Sequence, residues 1–171
     1  MKAMKYPRIK RACVLFMILL ALAFAAGGCG RREEGLPRGI SMEDLEKRML
    51  SADPSLPEMA VARGEDEDAE ATFGSLCDFD YDRAEDFFYA YADGGSAHEI
   101  SVVCLKDPSD AALLMKELKD HVRSRKGTME NYSPDQVPMV EDYVLLREGP
   151  YVALIICEKA ESVRNAFESF F

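Results

Sequence analysis

Asp78, Asp80 and Asp82, in the stretch "DFDYD", stand at the first three ligand spacings of a calcium-binding loop. The rest of that pattern is missing. The sixth position, where the loop needs Gly for its sharp turn, is Arg83, and the twelfth, where a bidentate Glu belongs, is Tyr89. The three aspartates therefore read as an acidic turn before a strand, and "EDEDAE" (65–70) reads as a solvated loop. No metal or cofactor is expected. The histidines are His98 and His121. A histidine base needs a hydroxyl or thiol brought within hydrogen-bond reach. Ser101 is close to His98 in sequence, but strand alternation gives no reason for the two to meet. There is no Gly-rich phosphate loop, no H-E-x-x-H and no C-x-x-C, so no catalytic residue is assigned. Cys77, Cys104 and Cys157 lie in the body of the chain. Cys104 and Cys157 end equivalent strands, which leaves open either a disulfide or two thiols packed as small hydrophobes.

The remaining chemistry belongs to Cys29. "MKAMKYPRIKR" is a basic start, and "ACVLFMILLALAFAA" (12–26) is an apolar run of fifteen residues. A spanning helix needs about 20 such residues, so this one is short. A charged start, a short apolar stretch and a small-residue exit describe an export signal. The exit, "AAGGC", resembles the bacterial lipobox, with Ala26 where Leu is usual. In such lipoproteins the thiol receives a diacylglyceryl group and the chain is cut just before it. The expectation is cleavage between Gly28 and Cys29, lipidation of Cys29, a signal over residues 1–28 and a lipidated tether over 29–39. An uncleaved anchor and ordinary secretion are the alternatives. Two acyl chains suffice to hold a protein on a bilayer where one does not. Arg31 and Arg32 would lie at the headgroups.

Charge narrows the partners. The whole chain carries −10, and residues 1–28 contribute five bases and no acid, which leaves −15 for residues 29–171. Nucleic acid is excluded as a partner, because phosphate contacts need clustered Lys and Arg.

The elements that would position any site follow from periodicity. Ser41 is an N-cap for a helix in which Met42, Leu45 and Met49 recur at helical spacing. "SADPSLPEM" breaks it with two prolines. A short helix turn ends "RGEDEDAEATFGSL". Two later stretches then align, one from Glu85-Asp86 and one from Glu141-Asp142. Each runs through an apolar strand, a Gly-containing turn, a second strand ending in Cys104 or Cys157, and a helix. They read as two copies of a ββα unit. "YVALIIC" has no polar residue on either face and belongs at the centre of a sheet, covered on both sides. Phe87, Tyr89 and Tyr91 alternate along one face and are expected in the core. Asp107 caps the helix that follows, with Pro108 in its first turn; Ala111, Met115, Leu118 and Val122 form its buried stripe, and Gly127 stops it. Val163, Ala166, Phe167, Phe170 and Phe171 make the apolar face of the last helix. The fold class is α+β, a two-layer sandwich with a four-stranded, mainly antiparallel sheet and helices on one face. Residues 40–171 form its one domain.

"SLPEM" (55–59), "HEISVVCLKD" (98–107) and "ENYSPDQVPMVEDYVLLREGPYVALII" (130–156) resemble the small bacterial lipoproteins that carry the domain of unknown function 4358. "GPYV", and Tyr132 with Pro134, match that family's Gly-x-Tyr-Val strand and Tyr-x-Pro turn. The resemblance covers about residues 41–160. It implies a lipoprotein on the outer face of the bacterial cytoplasmic membrane and brings no activity with it. The cysteines and His98 depart from the family pattern and take no role from it. The reading that results is a lipid-anchored, non-enzymatic interaction module. Its partners are the membrane, through the lipid on Cys29, and an unknown envelope protein or peptide. A surface hydrolase without a recognisable motif and a small solute-binding lipoprotein are the alternatives.

Overall fold

The computed structural model describes residues 39–171. The expected signal, the Gly28–Cys29 cleavage position, the lipidated Cys29 and all of the tether but Gly39 lie outside the described residues.

Helix α1 (Met42–Ser51) starts where the Ser41 hydroxyl accepts from the Asp44 N–H at 3.2 Å. Strand β1 (Met59–Arg63) and helix α2 (Ala69–Leu76) follow. The first hairpin is β2 (Ala84–Ala92) and β3 (Glu99–Leu105). A 3-10 turn at Pro108–Asp110, capped by the Asp107 carboxylate on Ser109 N at 2.8 Å, leads into helix α3 (Ala111–Tyr132). Short helix α4 (Val137–Glu141) precedes the second hairpin, β4 (Val144–Glu148) and β5 (Tyr151–Ile156), and helix α5 (Ala160–Glu168) closes the chain. Gly149, at φ 56°, supplies the left-handed residue that the two-residue β4–β5 turn requires.

All four strand pairings are antiparallel, in the order β1-β2-β3-β5-β4. The α+β class and the antiparallel sheet are as expected, with five strands instead of four. The extra strand is β1, which lies on the outer side of the nine-residue β2. One face of the sheet packs Phe87, Tyr89, Val103, Val152 and Leu154 against α2 and α3. Helices therefore lie where a two-layer sandwich needs them. The opposite face is covered as well: Phe88, Ile100, Val102, Ala153 and Ile155 pack against Leu45 and Met49 of α1 and Val163 and Phe167 of α5. The cause is β5, which is buried at all six positions and so needs apolar cover above and below. The two hairpins repeat, as read. Their helices do not follow suit, because α3 and α5 pack on opposite faces.

Two local expectations are corrected. Gly127 does not stop α3, which continues to Tyr132 with Gly127 inside it. An internal glycine costs a helix about 1 kcal/mol, and burial of Met129 two residues further on offsets that. Met115 is also only partly buried; Leu114 joins Ala111, Leu118 and Val122 in the stripe.

The Cys104–Cys157 disulfide is not made, and Cys77, Cys104 and Cys157 are all free thiols. The antiparallel β3–β5 pairing sets Cys104 opposite Tyr151, while Cys157 lies just beyond the Glu99–Ile156 pair. Equivalent strand ends thus fall at opposite ends of the ladder, on the order of 15–20 Å apart at about 3.3 Å per residue. Burial pushes the Cys77 thiol up to about 11 and the Cys157 thiol up to about 12, the Asp53 charge adding to the latter. Thiol reagent at neutral pH should therefore modify Cys77 and Cys157 slowly in native protein and fast in denaturant, with a count unchanged by prior reduction. A count that rises on reduction would overturn the pairing register.

Candidate functional site

The chemistry-bearing side chains converge on the end of the sheet where the β2–β3 turn meets α3. Glu99 opens β3, and alternation sends its carboxylate to the same face as Val103 and Leu105, toward α3. There it is 2% exposed. Its Oε2 lies 2.6 Å from His121 Nε2 and its Oε1 lies 2.9 Å from Arg125 Nε. His121 and Arg125 are four residues apart on α3 and so share a face. The Arg125 Nε–H is not aimed at that oxygen and makes no hydrogen bond, whereas Nη2 donates to the Ser96 carbonyl at 2.5 Å. Tyr89, on the neighbouring strand, also meets the Glu99 carboxylate. Burial first, and that negative charge second, hold its phenol well above the usual range. A buried carboxylate surrounded by two nitrogenous side chains and a phenol is thus the anchor of the turn.

A second line runs through His98. Its Nδ1 is 2.6 Å from Ser96 Oγ and its Nε2 is 2.6 Å from Glu158 Oε2. In the tautomer with the proton on Nε2, that N–H donates to the Glu158 carboxylate and Nδ1 accepts from the Ser96 hydroxyl. A serine, a histidine and a carboxylate in one hydrogen-bonded row have the connectivity of a nucleophile, base and orienting group. The backbone donor beside this row is already taken. The Ala97 N–H, the donor next to the serine, binds Gln136 Oε1 at 2.7 Å, and that oxygen lies 3.4 Å from Ser96 Oγ. The Ala97 N–H is therefore not free to serve an oxyanion at Ser96. The row therefore ties the turn to the segment between α3 and α4, and to the chain just after β5.

As strand alternation implies, His98 and Ser101 do not meet, and the sequence offered no partner for either histidine. Ser101 is buried and its hydroxyl has no hydrogen-bond partner among the described residues. The real partner is Ser96, on the turn. Asp78, Asp80 and Asp82 do not converge: Asp80 caps a 3-10 turn, accepting from Asp82 N at 3.1 Å, and the Asp82 carbonyl accepts from Lys106 Nζ at 2.8 Å. Among the described residues, no group of three or more His, Cys, Asp or Glu is placed to hold a metal ion.

Beside Glu158 a groove of about 570 Å³ opens between the approach to β4 and the exit of β5, lined by Met139, Asp142, Tyr143, Cys157 and Glu161 among others. Its cation, Lys159, lies toward the buried Asp53 carboxylate at 4.0 Å. Asp53 in turn accepts from Ser55 N at 2.9 Å and Lys159 N at 3.2 Å. Among the described residues no helix is long and apolar enough to cross a membrane.

The family model described as Domain of unknown function (DUF4358) matches residues 61–157, more than half of the chain. No curated protein and no solved structure matches the chain. The matched segment contains β2 through β5, and with them Ser96, His98, Glu99, His121 and Arg125.

Proposed function

We infer, for a chain that belongs to the family Domain of unknown function (DUF4358), a protein held by lipid on Cys29 at the outer face of a bacterial cytoplasmic membrane, where its folded domain acts as a non-enzymatic interaction module. One observation carries the module reading. The buried titratable side chains at this end of the sheet, and Asp53, are engaged in holding the fold: Glu99 on His121 and Arg125, His98 on Ser96 and Glu158, Asp53 on two backbone N–H groups. The thiols that remain are raised by burial, away from reactivity. What is left open to a ligand is surface. The anchor rests on the basic start, the fifteen-residue apolar run and "AAGGC".

The expected result is a mature chain that begins at acylated Cys29 by mass spectrometry, and a Cys29→Ala protein that keeps residues 1–28 and gains no acyl mass. Cross-linking on cells should then capture surface partners with wild type and lose them with Cys29→Ala. A retained Met1 or an unmodified Cys29 in the wild type overturns the anchor. The Ser96–His98–Glu158 row gives a surface hydrolase a specific footing as the second reading. A fluorophosphonate probe that labels Ser96 would put that reading first.

A further inference from the structure

The sheet ends in two edges of different character. At β1, the Arg63 N–H, which faces away from β2, is taken by the Asp66 carboxylate at 2.7 Å, and the Arg63 side chain is clasped by Glu46 at 2.7 Å. That edge is closed at one end, as natural edges usually are. At β4 the situation differs. A two-residue turn joins Glu148 to Tyr151, so these two form a hydrogen-bonded pair, and pairing alternates back along the strand. The N–H and C=O groups of Leu145 and Arg147 therefore point outward, and among the described residues no side chain or turn covers them. Val144, Leu145 and Leu146 are each half-buried, apolar on both faces of this outer strand. The acidic groove lies in line with it, since Asp142 precedes β4 and Glu158 follows β5.

We propose that β4 accepts an extended, basic segment of a partner protein as a sixth strand, with lysine or arginine side chains of that segment lying over Asp142 and Glu161. Main-chain bonds to Leu145 and Arg147 would supply the affinity of such strand addition, and the groove its selectivity. The charge argument decides between occupants. A second copy would bring another −15 body and the same acids to the edge; a basic strand meets both the groove and the body with opposite sign. The inference rests on the interaction-module reading and gives that module a partner chemistry.

The test uses the full chain in detergent and a synthetic peptide of four Lys-Val repeats, with four Glu-Val repeats as the control. Fluorescence anisotropy should show salt-sensitive binding of the Lys-Val peptide and none of the control. The double variant Asp142→Lys and Glu161→Lys, both positions exposed, should weaken binding by about tenfold or more. Arg147→Pro, which removes an outward N–H and no ladder bond, should weaken it separately while circular dichroism stays native. Binding that is equal for both peptides, or unchanged in both variants, overturns the proposal. So does self-association of the wild type that Arg147→Pro abolishes, which would assign the edge to a second copy. If the peptide fails to bind while cross-linking still captures a surface partner with both variants, this edge is excluded and the module reading stands. If both fail, the module reading falls with it.

Discussion

Deleting residues 166–171 leaves a chain with no stable native state at 37 °C. The segment is the last three residues of α5 and the tail beyond it, yet it holds the centre of the second apolar layer. Phe167 is fully buried, and its ring lies 5.0 Å from that of Phe171, which lies 5.4 Å from Tyr151 of β5. Truncating one buried Phe to Ala costs about 3–5 kcal/mol. Each lost aromatic pair adds about 0.5–1.5 kcal/mol. Exposure of Leu45, Met49, Ala153 and Ile155, which pack in the same layer, comes on top of that. A whole domain holds only about 5–15 kcal/mol. Thermal melting followed by circular dichroism should show the cooperative transition lost, or lowered by well over 10 °C at roughly 3–6 °C per kcal/mol. Phe171→Ala, at a position 36% exposed, should shift the midpoint by only a few degrees. A deletion that melts like the wild type would remove α5 from the sheet and, with it, the second layer.

That second layer shows which parts of the fold sequence reasoning reaches. The apolar face of α5 and the unbroken run "YVALIIC" are both plain in the sequence, and the run already demands cover on two sides. Treating the fold as two layers does not use that demand fully. The Ser41 and Asp107 caps and the glycine turns are legible because each rests on residues three or fewer apart. Strand β1 is not. "MAVAR" is short, alanine-rich and two residues after Pro57, so its propensity is weak. It becomes a strand because β2 is long enough to offer it a partner, which is a tertiary cause. Gly127 misleads in the other direction. It is a helix-stop residue by type, but the apolar side chain that keeps α3 going, Met129, comes after it.

The candidate site left one signal in the sequence, which motif and spacing do not pick out. Glu99 is an anomaly on sight, a carboxylate at the head of the apolar strand "EISVVCL". Such a residue must find partners or face solvent. What the sequence does not reveal is where the partners come from. His121 and Arg125 lie more than twenty residues away on α3, and Glu158 lies sixty residues from His98. The first two meetings are set by which face α3 takes and the third by the β3–β5 pairing, and the repeat pattern is silent on both points.

Glu99→Ala should destabilise the domain by about 3–5 kcal/mol, the usual cost of removing one partner from a buried ion pair. The substitution strands Arg125, whose Nε is already without a hydrogen bond, and takes from His121 its 2.6 Å partner. Both side chains stand on the face of α3 that packs on the sheet and are only partly open to water. Urea unfolding measures the change directly, with an unaltered slope showing that the unfolded state is the same. A loss below 1 kcal/mol would mean that Glu99 faces solvent and that the assigned register of β3 is one residue out. The converse substitution separates charge from packing. Replacing Glu99, His121 and Arg125 together by Leu removes the whole cluster and leaves no stranded charge, so stability should recover most of what Glu99→Ala loses. If the triple variant is as unstable as Glu99→Ala, the cluster holds the β2–β3 turn through the Arg125 hydrogen bond to the Ser96 carbonyl, beyond what charge pairing provides. Either outcome ranks the forces at this end of the sheet, where the turn, α3 and the His98 row all meet.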